Sequence, residues 1–217
     1  MQMPEPRGAA LRVGYVPGVT LTKWRTVWAD RFPRQRLDVV EIDQDDQRRA
    51  LDAAEVDLCF VRLPISTDQL HMIKLYEELP VAWAAKDHLI AAADEITRAD
   101  LTTETVVTTL TPFHIDLVAA GEAVLLVPQS VARTHSRRDL TYRIVTDAPS
   151  TTVGLAWLKD NPHELIDEFI GVVRGRTANS ARSTQERAAK GLPTTPAKTK
   201  AASKPSAKSS PRRRGRR

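Results

Sequence analysis

Ala10-Leu11-Arg12-Val13-Gly14-Tyr15-Val16, Arg36-Leu37-Asp38-Val39-Val40-Glu41-Ile42 and Val56-Asp57-Leu58-Cys59-Phe60-Val61-Arg62-Leu63 are three extended runs whose spacing decides the fold. The first alternates as a strand does and stops at Pro17-Gly18. Leu21, Trp24, Val27 and Trp28 then share one face of a helix predicted over 21–31, closed by Pro33. After the second run, Asp43 stands where a cap is expected for a helix reaching Ala54. The third run is apolar on both faces, as a central parallel strand should be. The order β-α-β-α-β is that of a doubly wound α/β sheet covered by helices.

Downstream, Met72 to Glu77 and Leu79 to Ala85 are extended, Ile90 to Ala93 is alanine-rich, and Thr105 to Leu110 reads as a strand. A short helix follows from His114 to Ala120, with Gly121 as its terminator. Ala123 to Val127 is a short buried strand stopped by Pro128, and Val131 sits in a brief helical turn. Residues 139–145 and 151–158 are strands. A last helix is expected from Pro162 to Val173, capped by Asn161 with Glu164 at its third position.

The charge is unevenly spread. The whole chain has 32 basic and 27 acidic residues, but from Arg174 onward there are 14 basic residues and one acid, Glu186. Residues 1–173 are therefore net acidic, with 18 basic and 26 acidic side chains. Residues 176–217 are dominated by Ala, Lys, Ser, Thr, Pro and Arg, with few large apolar side chains. Such a segment buries too little surface to offset its ordering entropy, so it is expected to be disordered. Residues 1–9 are expected to be a flexible N-terminus. No secretory segment or membrane-spanning run is visible, which makes a cytoplasmic location the expectation and excludes a membrane partner.

Enzymatic chemistry finds little purchase. The five histidines show no metal-binding spacing, and there is one cysteine, Cys59, inside an apolar strand. No P-loop, G-x-G-x-x-G or G-x-S-x-G is present. A non-enzyme without cofactor or metal is expected.

Several strings, taken in order, resemble one family. They are Leu11-Arg12-Val13-Gly14-Tyr15, Leu51-Asp52-Ala53-Ala54-Glu55-Val56-Asp57-Leu58, Leu75-Tyr76-Glu77-Glu78-Leu79-Pro80-Val81 and Asp87-His88-Leu89, then Val118-Ala119-Ala120-Gly121 leading to Val127-Pro128, and Leu155-Ala156-Trp157. Together they are similar to the effector-binding (substrate-binding) domain of LysR-type transcriptional regulators. The resemblance implies a periplasmic-binding-protein-like fold of two Rossmann-type lobes over residues 10–175. Lobe I would hold about 10–76 and 150–175, and lobe II about 77–149. It implies a small-molecule effector, a role in transcription regulation, and a homodimer or a partner regulator. The family carries a winged helix-turn-helix ahead of this domain, which is expected to be lacking here. The stretch between His88 and Gly121 is shorter than the family's, so a shortened second lobe is expected.

Ligands of open α/β sheets sit beyond the carboxyl ends of the strands. The first such turn, Pro17 to Thr22, offers Thr20 and Thr22 at a helix N-terminus, suited to an anion. Thr20 has a plain alternative as the helix cap. Arg62, at the end of the third strand, could meet an anionic effector or sit in a structural ion pair. Thr109, with Thr108 and Thr111, could face Thr20 across the cleft or simply favour a strand.

The tail offers a second partner. Lys198, Lys200, Lys204 and Lys208 are spaced through Ala, Ser and Pro, and Arg212, Arg213, Arg214, Arg216 and Arg217 end the chain. Arg214-Gly215-Arg216 resembles the core of an AT-hook, which lays arginines in a narrow minor groove of DNA. An alternative function follows: a nucleoid-associated or scaffold protein with a vestigial cleft, binding DNA through this tail.

Overall fold

The structure is a computed structural model, and it describes residues 10–175. Two five-stranded sheets make up this region. The first takes β1 (Leu11–Tyr15), β2 (Leu37–Glu41), β3 (Leu58–Arg62), β4 (Leu70–Glu78) and β10 (Thr151–Leu158), in the order β2-β1-β3-β10-β4. The second takes β5 (Pro80–Ala85), β6 (Glu95–Ile96), β7 (Val106–Val107), β8 (Val124–Pro128) and β9 (Leu140–Val145), in the order β6-β9-β5-β8-β7. The chain crosses between sheets twice, from β4 to β5 and from β9 to β10.

The opening runs form the parallel core of the first sheet. β1 pairs with β2 and β3 in parallel, Val13 lying opposite Val39 and Leu58. β10 returns antiparallel between β3 and β4. Every residue of β3 is buried, as its two-sided apolar pattern requires. One face of the sheet carries α1 (Thr22–Arg31) and α5 (Ile166–Val173), joined by an aromatic cluster. In that cluster Trp24 stacks on Phe60 at 4.6 Å, and Phe169 meets Trp28 at 5.7 Å and Phe60 at 6.2 Å. The other face packs on α2 (Gln47–Asp52) through Ala50, Leu51, Val56 and Cys59. In the second sheet α3 (Pro112–Ala119) and α4 (Gln129–Thr134) cover one face, with Trp83, Val118 and Leu125 between.

Several elements depart from the sequence expectation. The helix expected from Asp43 begins instead as a 3-10 turn over Gln44–Asp46, and Asp43 makes no side-chain cap. The strand expected over 105–110 is only Val106–Val107, and a two-residue strand, Glu95–Ile96, went unforeseen. The final helix starts at Ile166 rather than Pro162. Asn161 Oδ1 accepts the His163 amide at 3.0 Å, and His163 Nδ1 accepts the Leu165 amide at 3.3 Å. Those side chains bind the amides as a turn, and the helix begins only after it.

Candidate functional site

The carboxyl ends of β1 and β3, the start of β10 and the carboxyl end of β8 come together where the two sheets meet. β1 runs into a tight turn in which the Val19 amide donates to the Val16 carbonyl at 3.2 Å and Gly18 has φ +91°. α1 then opens at Thr22. Its cap position is Leu21, not Thr20, and no side chain caps it. Thr20 and Thr22 are exposed, and among the described residues no hydrogen bond engages either hydroxyl. The amides of the first helical turn have no partner within a helix and carry its partial positive charge. Hydroxyls and amides are thus left free at one rim.

The second sheet ends β8 beside this turn, since Gly18 lies against Ser130 and Val131. β7 is parallel to β8, with Val107 opposite Leu125, so the chain after β7 leaves at the same end as Pro128. Thr108 and Thr109 are exposed there. The Thr109 carbonyl lies 2.7 Å from His114 Nδ1. Thr111 is used locally: its Oγ1 accepts the His114 amide at 3.1 Å and caps α3. Phe113, on the first turn of α3, is 67 % exposed.

Arg62 had two roles open to it, and the structure places it in the ion pair. It is 2 % exposed. Its Nε donates to Glu78 Oε2 at 2.8 Å, Nη1 to Gln44 Oε1 at 2.9 Å and Nη2 to the Pro17 carbonyl at 3.0 Å. Its backbone is held as well: the amide donates to Gln47 Oε1 and the carbonyl accepts from Gln47 Nε2, both at 2.9 Å. Each guanidinium nitrogen therefore has a protein partner, so the cation is satisfied without a ligand.

Glu78 ends β4, and its second carboxylate oxygen accepts from the Ser130 hydroxyl on α4. The Gln129 amide donates to the Leu79 carbonyl at 2.9 Å beside it. Gly18 closes the same seam: a Cβ there would lie 2.6 Å from Ser130 Oγ and 2.8 Å from the Val131 nitrogen. Sequence reasoning missed Glu78, Ser130, Gln44 and Gln47. Adjacent Glu77 and Glu78 point to opposite faces of a strand, and nothing local says which is buried.

Lys198, Lys200, Lys204, Lys208 and Arg212, Arg213, Arg214, Arg216 and Arg217 lie outside the described residues. Among the described residues, no helix is long and apolar enough to cross a membrane.

Comparison with known proteins agrees with this architecture. The effector binding domain of BenM with its effector benzoate superposes with a TM-score of 0.65 at 19% identity, over 86% of this chain and 96% of that one. The reduced regulatory domain of OxyR from Pseudomonas aeruginosa gives 0.62 at 19% identity, over 77% of this chain and 96% of that one. CbnR complexed with its target DNA gives 0.63 at 15% identity, over 77% and 70%. At such identities these likenesses show the fold. In sequence, the Hca operon transcriptional activator HcaR of Escherichia coli (strain K12) is 23% identical over 202 residues, spanning 78% of this chain and 68% of that protein. The family model for the LysR substrate binding domain matches residues 5–115, half of the chain, and the chain belongs to that family.

Proposed function

We propose that this chain is the effector-binding part of a transcription regulator and takes a small anionic metabolite between its two lobes. The observation that carries this is the pair of unengaged hydroxyls, Thr20 and Thr22, at the start of α1. A carboxylate there would accept from hydroxyls and first-turn amides. Thr109 would approach from the other rim. Arg62 acts behind the site, since its charge is already met by Glu78. HcaR is named a transcriptional activator, CbnR is described on its target DNA, and BenM is described with benzoate. These names support the regulatory reading, in which the chain pairs with itself or with a partner regulator.

A thermal-shift screen of aromatic and aliphatic carboxylates tests it. A ligand at a hundred times its Kd stabilises the fold by about 2.7 kcal/mol. At about 2–4 °C per kcal/mol for a domain this size, that is a rise of roughly 5–11 °C. A panel without a saturating hit sinks the proposal.

A second reading rests on charge. With 14 basic residues against one acid after residue 173, the tail would bind DNA phosphates and release counterions. Mobility shifts of full-length protein and of residues 1–174 discriminate. The tail reading expects binding that weakens steeply with salt and is lost on truncation. Equal behaviour of the two proteins rules it out.

A further inference from the structure

Glu78 is bound in this protein much as a ligand carboxylate would be. One oxygen is met by a guanidinium, Arg62 Nε at 2.8 Å, and the other by a hydroxyl, Ser130. Both charged side chains are buried, at 2 % and 5 % exposure. The donors come from different lobes: Arg62 from β3 of the first sheet, Ser130 from α4 on the second. Thr151 lies directly across from Glu78 in the β4–β10 register, so the two side chains share a face. Its Oγ1 is buried and, among the described residues, has no hydrogen-bond partner. The surroundings therefore hold one more polar group than Glu78 consumes.

We propose that Glu78 is a resident carboxylate of the seam between the lobes. It fills the seat on Arg62 and Ser130 that a guest carboxylate would otherwise take, and joins the lobes without one. Two consequences follow for the cleft, on the reading that it is an effector site. Guest carboxylates are kept from its floor and directed to the Thr20–Thr22 rim. The contact between lobes also needs no effector to form.

The test is chemical rescue of full-length Glu78→Ala, with acetate and formate as probes. The substitution leaves the Arg62 cation buried without a counter-ion, a costly state. Its melting temperature in chloride should fall at least about 5 °C below wild type. Acetate or formate should raise it in a saturable way, relative to chloride at equal ionic strength. The wild type, its seat on Arg62 already filled by Glu78, should gain far less from these salts than the variant does. The double variant Arg62→Met, Glu78→Ala should also lose the response, because the cation is gone. Identical melting of folded Glu78→Ala in acetate and chloride overturns the proposal. If Glu78→Ala is unfolded in chloride, recovery of the fold by acetate supports it. Failure to recover in either carboxylate, while Glu78→Gln folds, overturns it. The rescue involves no effector, so an empty ligand screen would defeat the effector reading and leave this result standing, and the converse also holds.

Discussion

Gly18→Ala measures how tightly the two lobes are joined. Gly18 has φ +91°, which is open to glycine and costs an alanine about 1 kcal/mol or somewhat more. The new methyl would also lie 2.6 Å from Ser130 Oγ, 2.8 Å from the Val131 nitrogen and 3.0 Å from Val131 Cγ2. The Ser130 hydroxyl can rotate only by leaving Glu78, and the Val131 nitrogen belongs to the α4 backbone. Relieving such overpacking costs about 1–3 kcal/mol. The expected total is about 3 kcal/mol, or roughly 6–12 °C in melting temperature. Gly121→Ala is the control. Gly121 also has positive φ, +76°, but an added Cβ meets nothing within 4 Å. Backbone strain alone should cost it about 1 kcal/mol, near 2–4 °C. Circular-dichroism melts of both variants settle the comparison. If Gly18→Ala melts with Gly121→Ala, the close approach of the lobes at Ser130 and Val131 is refuted.

Other substitutions probe the first lobe and its core. Burial pushes the Cys59 thiol up to about 12 from an ordinary 9.0. The unfolded chain therefore loses this proton first, and stability should fall as pH rises from about 9 toward about 12. Near pH 10.5 the loss is about 2 kcal/mol, and Cys59→Ala should flatten that slope in urea titrations. A wild-type curve with the same slope as the variant would contradict it. Asp57, 4 % exposed, accepts from the Arg12 amide at 2.8 Å and from Arg12 Nη2 at 2.8 Å. Asp57→Ala should cost about 2–3 kcal/mol in denaturant unfolding, and a cost below about 0.5 kcal/mol would show the anchor to be idle. Phe169→Ala removes the ring between Trp28 and Phe60 and should cost about 3–5 kcal/mol by the same measurement. A cost under about 1 kcal/mol would mean that α5 is not held by this cluster.

The first lobe was legible because its signals are local and repeated. Leu11 to Tyr15, Leu37 to Glu41 and Leu58 to Arg62 carry strand patterning that survives in the sheet. Glu95–Ile96 did not, since two residues show no period. Asn161 reads as a helix cap by type, yet it lies five residues before the helix, where its oxygen closes a turn. At the site, the Pro17-Gly18 turn and its threonines were visible as residues beyond a strand end. Thr20 as the cap was the plainer alternative, and Leu21 holds that position instead. The partner of Arg62 was not legible. Glu78 reaches it only once β10 has entered between β3 and β4, and Ser130 arrives from the other sheet. Interactions of that kind depend on where two folded lobes touch, which no local pattern encodes.

Amide chemical-shift mapping tests the ligand seat between the lobes. A carboxylate from the thermal screen, titrated into isotopically labelled full-length protein, should move the amides of residues 18–24, 108–111, 113–114 and 129–131 together and in a saturable way. Thr20→Val with Thr22→Val should weaken that binding by about tenfold or more, equivalent to about 1.4 kcal/mol. Shifts confined to another surface, or binding indifferent to the double substitution, would contradict the account.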